Sequence, residues 1–124
     1  MGQRGKEGYM KRIVLTALAL TTTSPVFADR LAVGDEILAA IAGNTVQGSM
    51  IDAGAYTEFY GADGTIKGSG YTGSWNVKDN QMCFEYGDGT DCWSVRIDGE
   101  TVTWVKDGEE DGSGMIVSGN PNGF

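Results

Sequence analysis

From residue 44 onward, apolar and polar residues alternate in short runs, and the runs are broken by tight-turn dipeptides. Asp-Gly stands at 63–64, 88–89, 98–99, 107–108 and 111–112. Such a pair between alternating runs signals a hairpin, because both residues tolerate the positive φ that matches strand twist. Three turns can be tested against one another. A turn centred on Asp79-Asn80 sets Val77 opposite Met82 and Trp75 opposite Phe84. One centred on Gly87-Asp88 sets Met82 opposite Trp93 and Cys83 opposite Cys92. One centred on Asp98-Gly99 sets Val95 opposite Val102 and Trp93 opposite Trp104. All three registers put large apolar residues on one face, in a row Val77–Met82–Trp93–Trp104. A slip of one residue scatters that row over both faces. The pattern therefore predicts an antiparallel meander from Ser74 to Lys106.

Three further strands are expected at Thr45–Ile51, Ala55–Tyr60 and Thr65–Gly70, with Phe59 paired to Ile66 across the Gly61–Gly64 loop. A last strand is expected at Ser113–Ser118, with Met115 reaching Trp104. The total is about eight short antiparallel strands in sequence order. The fold class is mainly β, an up-and-down meander forming a small barrel or a curved sheet. Glycines 68, 70 and 73 suit a bend or bulge where the sheet coils. One helix is expected over 31–43. Asp35 and Glu36 occupy its first turn, where the helix dipole favours acids, and Ile37, Leu38 and Ile41 form an apolar stripe. Gly43-Asn44 stops it. About two turns of helix are unstable alone, so this one must pack on the sheet.

The N-terminal pattern is different. Met10-Lys11-Arg12 precedes the apolar run Ile13–Leu20, and Val26-Phe27-Ala28 fits a small-x-small cleavage site. This is the pattern of a signal peptide cut after Ala28, too short to span a membrane. The organisation is a 1–28 extension and signal, then a single domain over 29–124, in a periplasmic or secreted protein. Of the 124 residues, nine are Lys or Arg and 17 are Asp or Glu. Removing 1–28 takes away four of the nine bases and one of the 17 acids, leaving a net charge of −11. Coulomb repulsion then disfavours nucleic acid and anionic membrane as partners.

Export also bears on the cysteines. Two in an exported chain favour a disulfide, and Cys83 and Cys92 face each other on the polar side of the meander, beside Gln81, Glu85, Ser94 and Arg96. There is no histidine, hence no imidazole base or zinc ligand, and no Gly-x-Ser-x-Gly elbow. No cofactor or metal is called for. Asp107–Gly112 matches the opening of a calcium loop, but its twelfth position is Ser118, so a charged hairpin turn is expected instead. Glu58, between Tyr56 and Tyr60, is expected at an exposed strand position. It is the carboxylate of most interest for a hydrolase using paired acids, the least favoured functional reading.

The aromatic face, Trp75, Phe84, Trp93 and Trp104 with Tyr86, is either core or the wall of a ligand pocket. Strands this short argue for a filled interior. The favoured reading is a non-enzymatic binding module that engages another protein, such as a basic hydrolase it inhibits. A carrier of a small apolar ligand is the alternative.

Several segments together resemble a family of small exported Gram-negative proteins of uncharacterised function. They are Gly43-Asn44-Thr45-Val46, Tyr60 with Asp63-Gly64-Thr65, Gly73-Ser74-Trp75, Met82-Cys83-Phe84-Glu85-Tyr86, Cys92-Trp93 and Gly119-Asn120-Pro121. The resemblance implies export and a disulfide-bearing β domain. Thr72-Gly73-Ser74-Trp75 is also similar to the glycine-x-tryptophan motif of lipocalin and avidin-like barrels, although there it opens the first strand and here it falls mid-chain.

Overall fold

The computed structural model describes residues 30–124; the expected signal peptide and its cleavage site lie outside the described residues. Eight antiparallel strands close into a barrel in sequence order. They are β1 (Asn44–Met50), β2 (Gly54–Tyr60), β3 (Thr65–Gly68), β4 (Tyr71–Lys78), β5 (Gln81–Glu85), β6 (Thr90–Asp98), β7 (Thr101–Lys106) and β8 (Glu109–Val117). The helix α1 (Gly34–Ile41) precedes them. Closure comes from β1 pairing with β8, Thr45 with Val117 through Met50 with Gly112. It leaves no open sheet edge. The two Gly-Asn pairs lock the seam: Gly119 N–H donates to Asn44 Oδ1 at 3.0 Å, and the Thr45 hydroxyl donates to Gly119 O at 2.7 Å.

The meander's first two registers stand as the alternation dictates, with Val77 opposite Met82, Trp75 opposite Phe84, Met82 opposite Trp93 and Cys83 opposite Cys92. Asp79 and Asn80 take φ of 53° and 58°, the type I′ geometry. Asp107 and Gly108 repeat it at 52° and 82°, so the acidic run is a two-residue turn leading into β8 rather than a cation loop.

Three expected pairings are corrected. Ile97 faces Val102 and Val95 faces Trp104, so the β6–β7 turn is centred on Gly99-Glu100, two residues out of the expected register. Gly99 alone takes positive φ, 61°, and a glycine at the first central position makes a type II′ turn. A two-residue shift keeps every side chain on its face, so the apolar row could not expose it. Tyr60, not Phe59, faces Ile66, which turns β2 over. Met115 faces Thr101 and is 48% exposed, while Gly112 lies opposite Trp104 at a bulge in β7.

The helix is shorter than expected and plugs one end. Ile37 and Ile41 are fully buried against the core of Val46, Tyr60 and Val95, whereas Leu38 is 44% exposed. Backbone bonds hold it there: Ala32 N–H donates to Val95 O at 2.6 Å, and Gly34 N–H to Asn80 Oδ1 at 2.7 Å. The helix supplies the apolar cover that short strands cannot give their own barrel end. The turns at 61–64, 79–80 and 99–100 share this closed end; those at 51–53, 69–70, 86–89 and 107–108 ring the other. No helix among the described residues is long and apolar enough to cross a membrane.

Cys83 and Cys92 form a disulfide, their Cα atoms 4.0 Å apart. Cys83 alternates with inward Met82 and Phe84, so the bridge staples the outer face, yet Cys83 is only 3% exposed.

Candidate ligand cavity

The end opposite α1 is open, and a cavity of about 570 Å³ reaches into the barrel from it. The interior is therefore only partly filled, contrary to the expectation from strand length. The closed half is packed by Ile37, Ile41, Ile66, Met82, Val95 and Val102, and the aromatic residues crowd the boundary. Phe84, Trp93 and Trp104 line the cavity. Phe84 meets Trp93 and Trp104 edge-on at centroid distances of 5.3 and 5.5 Å, the arrangement that ring quadrupoles favour. Trp75 is not at the wall. It lies in the core with its Nε1–H donating to Gly61 O at 2.9 Å, on the closed side.

Glu58 is the largest departure from expectation. It is 6% exposed and lines the cavity instead of facing solvent. With Tyr60 opposite Ile66, the whole Tyr56-x-Glu58-x-Tyr60 face of β2 points inward, because strand side chains alternate. Three phenols converge on the carboxylate. Tyr60 donates to Oε1 at 2.6 Å and Tyr71 to Oε2 at 2.7 Å. Tyr86 lies 3.0 Å from both oxygens. A buried carboxylate is costly unless such donors surround it. Glu58 takes part in no ion pair among the described residues; those present join Arg30 to Glu36 and Lys106 to Asp91.

The phenols hold their protons firmly. Burial, and then the charge of Glu58, raises Tyr60 and Tyr86 well above the usual phenol range. Burial and the bond to Glu58 do the same to Tyr71. Burial pushes Tyr56 up to about 12, against the opposing effect of its bond from Trp104. Tyr56 forms a separate link, accepting from Trp104 Nε1–H at 2.7 Å and donating to Ser113 O at 3.2 Å. Trp93 Nε1–H donates to Asp111 Oδ2 at 2.9 Å.

Gly68, Gly73 and Gly114 make room for these rings, the first for Tyr71. A Cβ on Gly73 would stand 2.7 Å from the Tyr86 ring and from Glu85 O, and one on Gly114 would stand 2.7 Å from the Tyr56 hydroxyl. Gly73 is thus a seat for an aromatic ring rather than only a bend.

The result is a cup with aromatic walls, a carboxylate set behind phenols, and a rim carrying Asp52 and Asp111. Such a lining offers apolar area, ring faces and carboxylates. No group of three or more His, Cys, Asp or Glu side chains is placed to hold a metal ion among the described residues. Sequence reasoning missed Glu58, Tyr60 and Tyr71 as one cluster. The available signal was the period-two spacing of Tyr56, Glu58 and Tyr60, which puts all three on one face.

No protein-family model, curated protein or solved structure matches this chain. The likeness expected from the sequence holds at the coarse level alone, an eight-stranded antiparallel closed barrel with one N-terminal helix, and points to no named family.

Proposed function

We propose that this protein binds a small, largely apolar ligand in the open end of its barrel and acts as a carrier or sequestering module without chemistry of its own. The observation that carries this reading is the aromatic-walled cavity of about 570 Å³, within the range of sites that take drug-sized molecules. The protein-interaction reading requires an apolar patch rimmed by acids on the outer face of the sheet. The large exposed hydrophobics form no such patch, and all but Met115 lie elsewhere. Leu31 and Val33 precede the helix and Leu38 lies within it, Ile51, Tyr71 and Tyr86 stand at the open end, and Met115 is isolated on the outer wall. The disulfide suits an oxidising compartment, and with the signal-like pattern of 10–28 it supports action in the periplasm or outside the cell. The resemblance to small exported Gram-negative proteins is in keeping with this and adds no activity.

The test is titration with N-phenyl-1-naphthylamine, an uncharged probe that fluoresces in apolar surroundings. Saturable one-to-one binding is expected, weakened at least tenfold by Met50→Trp at the cavity wall and unchanged by Lys78→Ala at the closed end. Binding that ignores Met50→Trp, or no binding at all, refutes the reading.

A further inference from the structure

Resting on that cavity, we propose that its ligand is an organic cation without N–H donors, a quaternary ammonium on an apolar body, held by ring faces with Glu58 as countercharge. The charges lining the cavity are of one sign: Asp52, Glu58 and Asp111, with no Lys or Arg among the lining residues. Low-dielectric walls focus the field of such groups into the cleft. Tyr71, Phe84, Tyr86, Trp93 and Trp104 present rings to the same space. Aromatic faces attract a cation within about 6 Å of the centroid. The protein already uses one of these rings in this way, since Lys106 Nζ sits 4.2 Å from the Trp93 centroid, with Asp91 3.6 Å from the same nitrogen.

The hydrogen-bond inventory selects the type of cation. A carboxylate offers about four lone-pair sites. On Glu58 three phenol O–H groups occupy most of them: Tyr60 at Oε1, Tyr71 at Oε2, and Tyr86 with its single proton shared between the two oxygens. Asp111 Oδ2 is engaged by the Trp93 indole. Glu58 therefore supplies negative charge with little acceptor capacity left over, and the carboxylate oxygens without a donor, on Asp52 and Asp111, stand at the rim rather than among the rings. A primary ammonium brings three donors that need acceptors, and a buried donor left unpaired weakens binding. A methylated ammonium has none to satisfy. It gains the charge and the ring faces and leaves the tyrosine cage intact. An anionic ligand meets repulsion from all three carboxylates.

Four competitors with a common benzyl body decide the matter by displacing N-phenyl-1-naphthylamine from the purified protein: benzyltrimethylammonium, its neutral isostere neopentylbenzene, benzylammonium and phenylacetate. The quaternary ion is expected to bind about tenfold or more tighter than the neutral isostere. It should also bind tighter than benzylammonium, and phenylacetate should be weakest. Glu58→Gln should bring the quaternary and neutral competitors to within about twofold of each other while the naphthylamine still binds. The comparison within the wild-type protein decides even where E58Q does not fold. Equal displacement by the quaternary and neutral competitors, or none, with the naphthylamine bound, overturns the charge inference alone. Tighter benzylammonium overturns the quaternary assignment. A protein that binds no naphthylamine overturns the cavity reading itself.

Discussion

Tyr60→Phe removes one oxygen from the middle of the fold and nothing else. The Tyr60 side chain is 1% exposed, and its hydroxyl donates to Glu58 Oε1 at 2.6 Å. Phenylalanine keeps the ring, and with it the edge-on contacts to Trp75 and Phe84 at 6.1 and 6.0 Å. The loss is therefore a single hydrogen bond to a charged, buried acceptor, of the kind that contributes about 1.5–3 kcal/mol. Tyr86 still reaches Oε1, and no water is expected to take the vacated place, so the expected cost is about 2 kcal/mol. Tyr71→Phe removes a bond of nearly equal length, 2.7 Å, from a residue that is 42% exposed. Water can replace that donor, and the expected cost is under about 1 kcal/mol. Combining Tyr60→Phe with Glu58→Gln should show coupling of about 1–2 kcal/mol, because contacting partners are not additive. The assay is equilibrium urea unfolding with the disulfide intact, with the same m-value throughout. A Tyr60→Phe protein within about 0.5 kcal/mol of wild type, or a Tyr71→Phe protein less stable than it, refutes the placement of Glu58 at the centre of the cluster.

Removing the disulfide as Cys83→Ala/Cys92→Ala frees a loop with a sequence separation of 9 and should cost about 2–3 kcal/mol by urea unfolding, if loop entropy dominates. Alkali should unfold the protein through its tyrosines. The folded phenols keep their protons above pH 10, where unfolded ones lose theirs. The unfolded state then binds fewer protons, so stability falls as pH rises from about 10, across 10 to 12 for Tyr56 and further for Tyr60. The slope for Tyr60 alone is up to about 1.4 kcal/mol per pH unit. Phenolate absorbance near 295 nm should appear together with loss of circular dichroism; phenolate formation near pH 10 by these residues in an intact fold would be inconsistent with their burial. Gly114→Ala should displace the Tyr56 hydroxyl, 2.7 Å from the added carbon, at a cost of about 1–3 kcal/mol, read by urea unfolding and by a change in Trp104 fluorescence.

The strand content and most of the meander were legible because alternation and turn chemistry agree there. Val77, Met82 and Trp93 share a face in any register that keeps them inward, and Asp79-Asn80 favours the positive φ its turn requires. The β6–β7 shift escaped because two residues restore the same face, so only turn geometry distinguishes the registers. The site escaped through a one-residue error. Pairing Phe59 with Ile66 turns β2 over, sends Glu58 to solvent and hides the tyrosine cluster at once. A buried glutamate runs against the usual burial preference, and it is tolerated only because Tyr71 and Tyr86 arrive from other strands. Nothing local to β2 encodes those partners. The open cavity was hidden for a similar reason: strand length suggested a full interior, whereas α1 fills one end only.

The chain has three tryptophans, and their indole N–H groups give separate signals in a proton–nitrogen spectrum. Trp93 and Trp104 line the cavity, and Trp75 lies on the closed side, bonded to Gly61 O. Titrating N-phenyl-1-naphthylamine into labelled protein should move the Trp93 and Trp104 signals together and leave Trp75 in place. Movement of Trp75 alone, or a bound probe that moves neither Trp93 nor Trp104, would put the ligand outside the open end of the barrel and refute the proposed site.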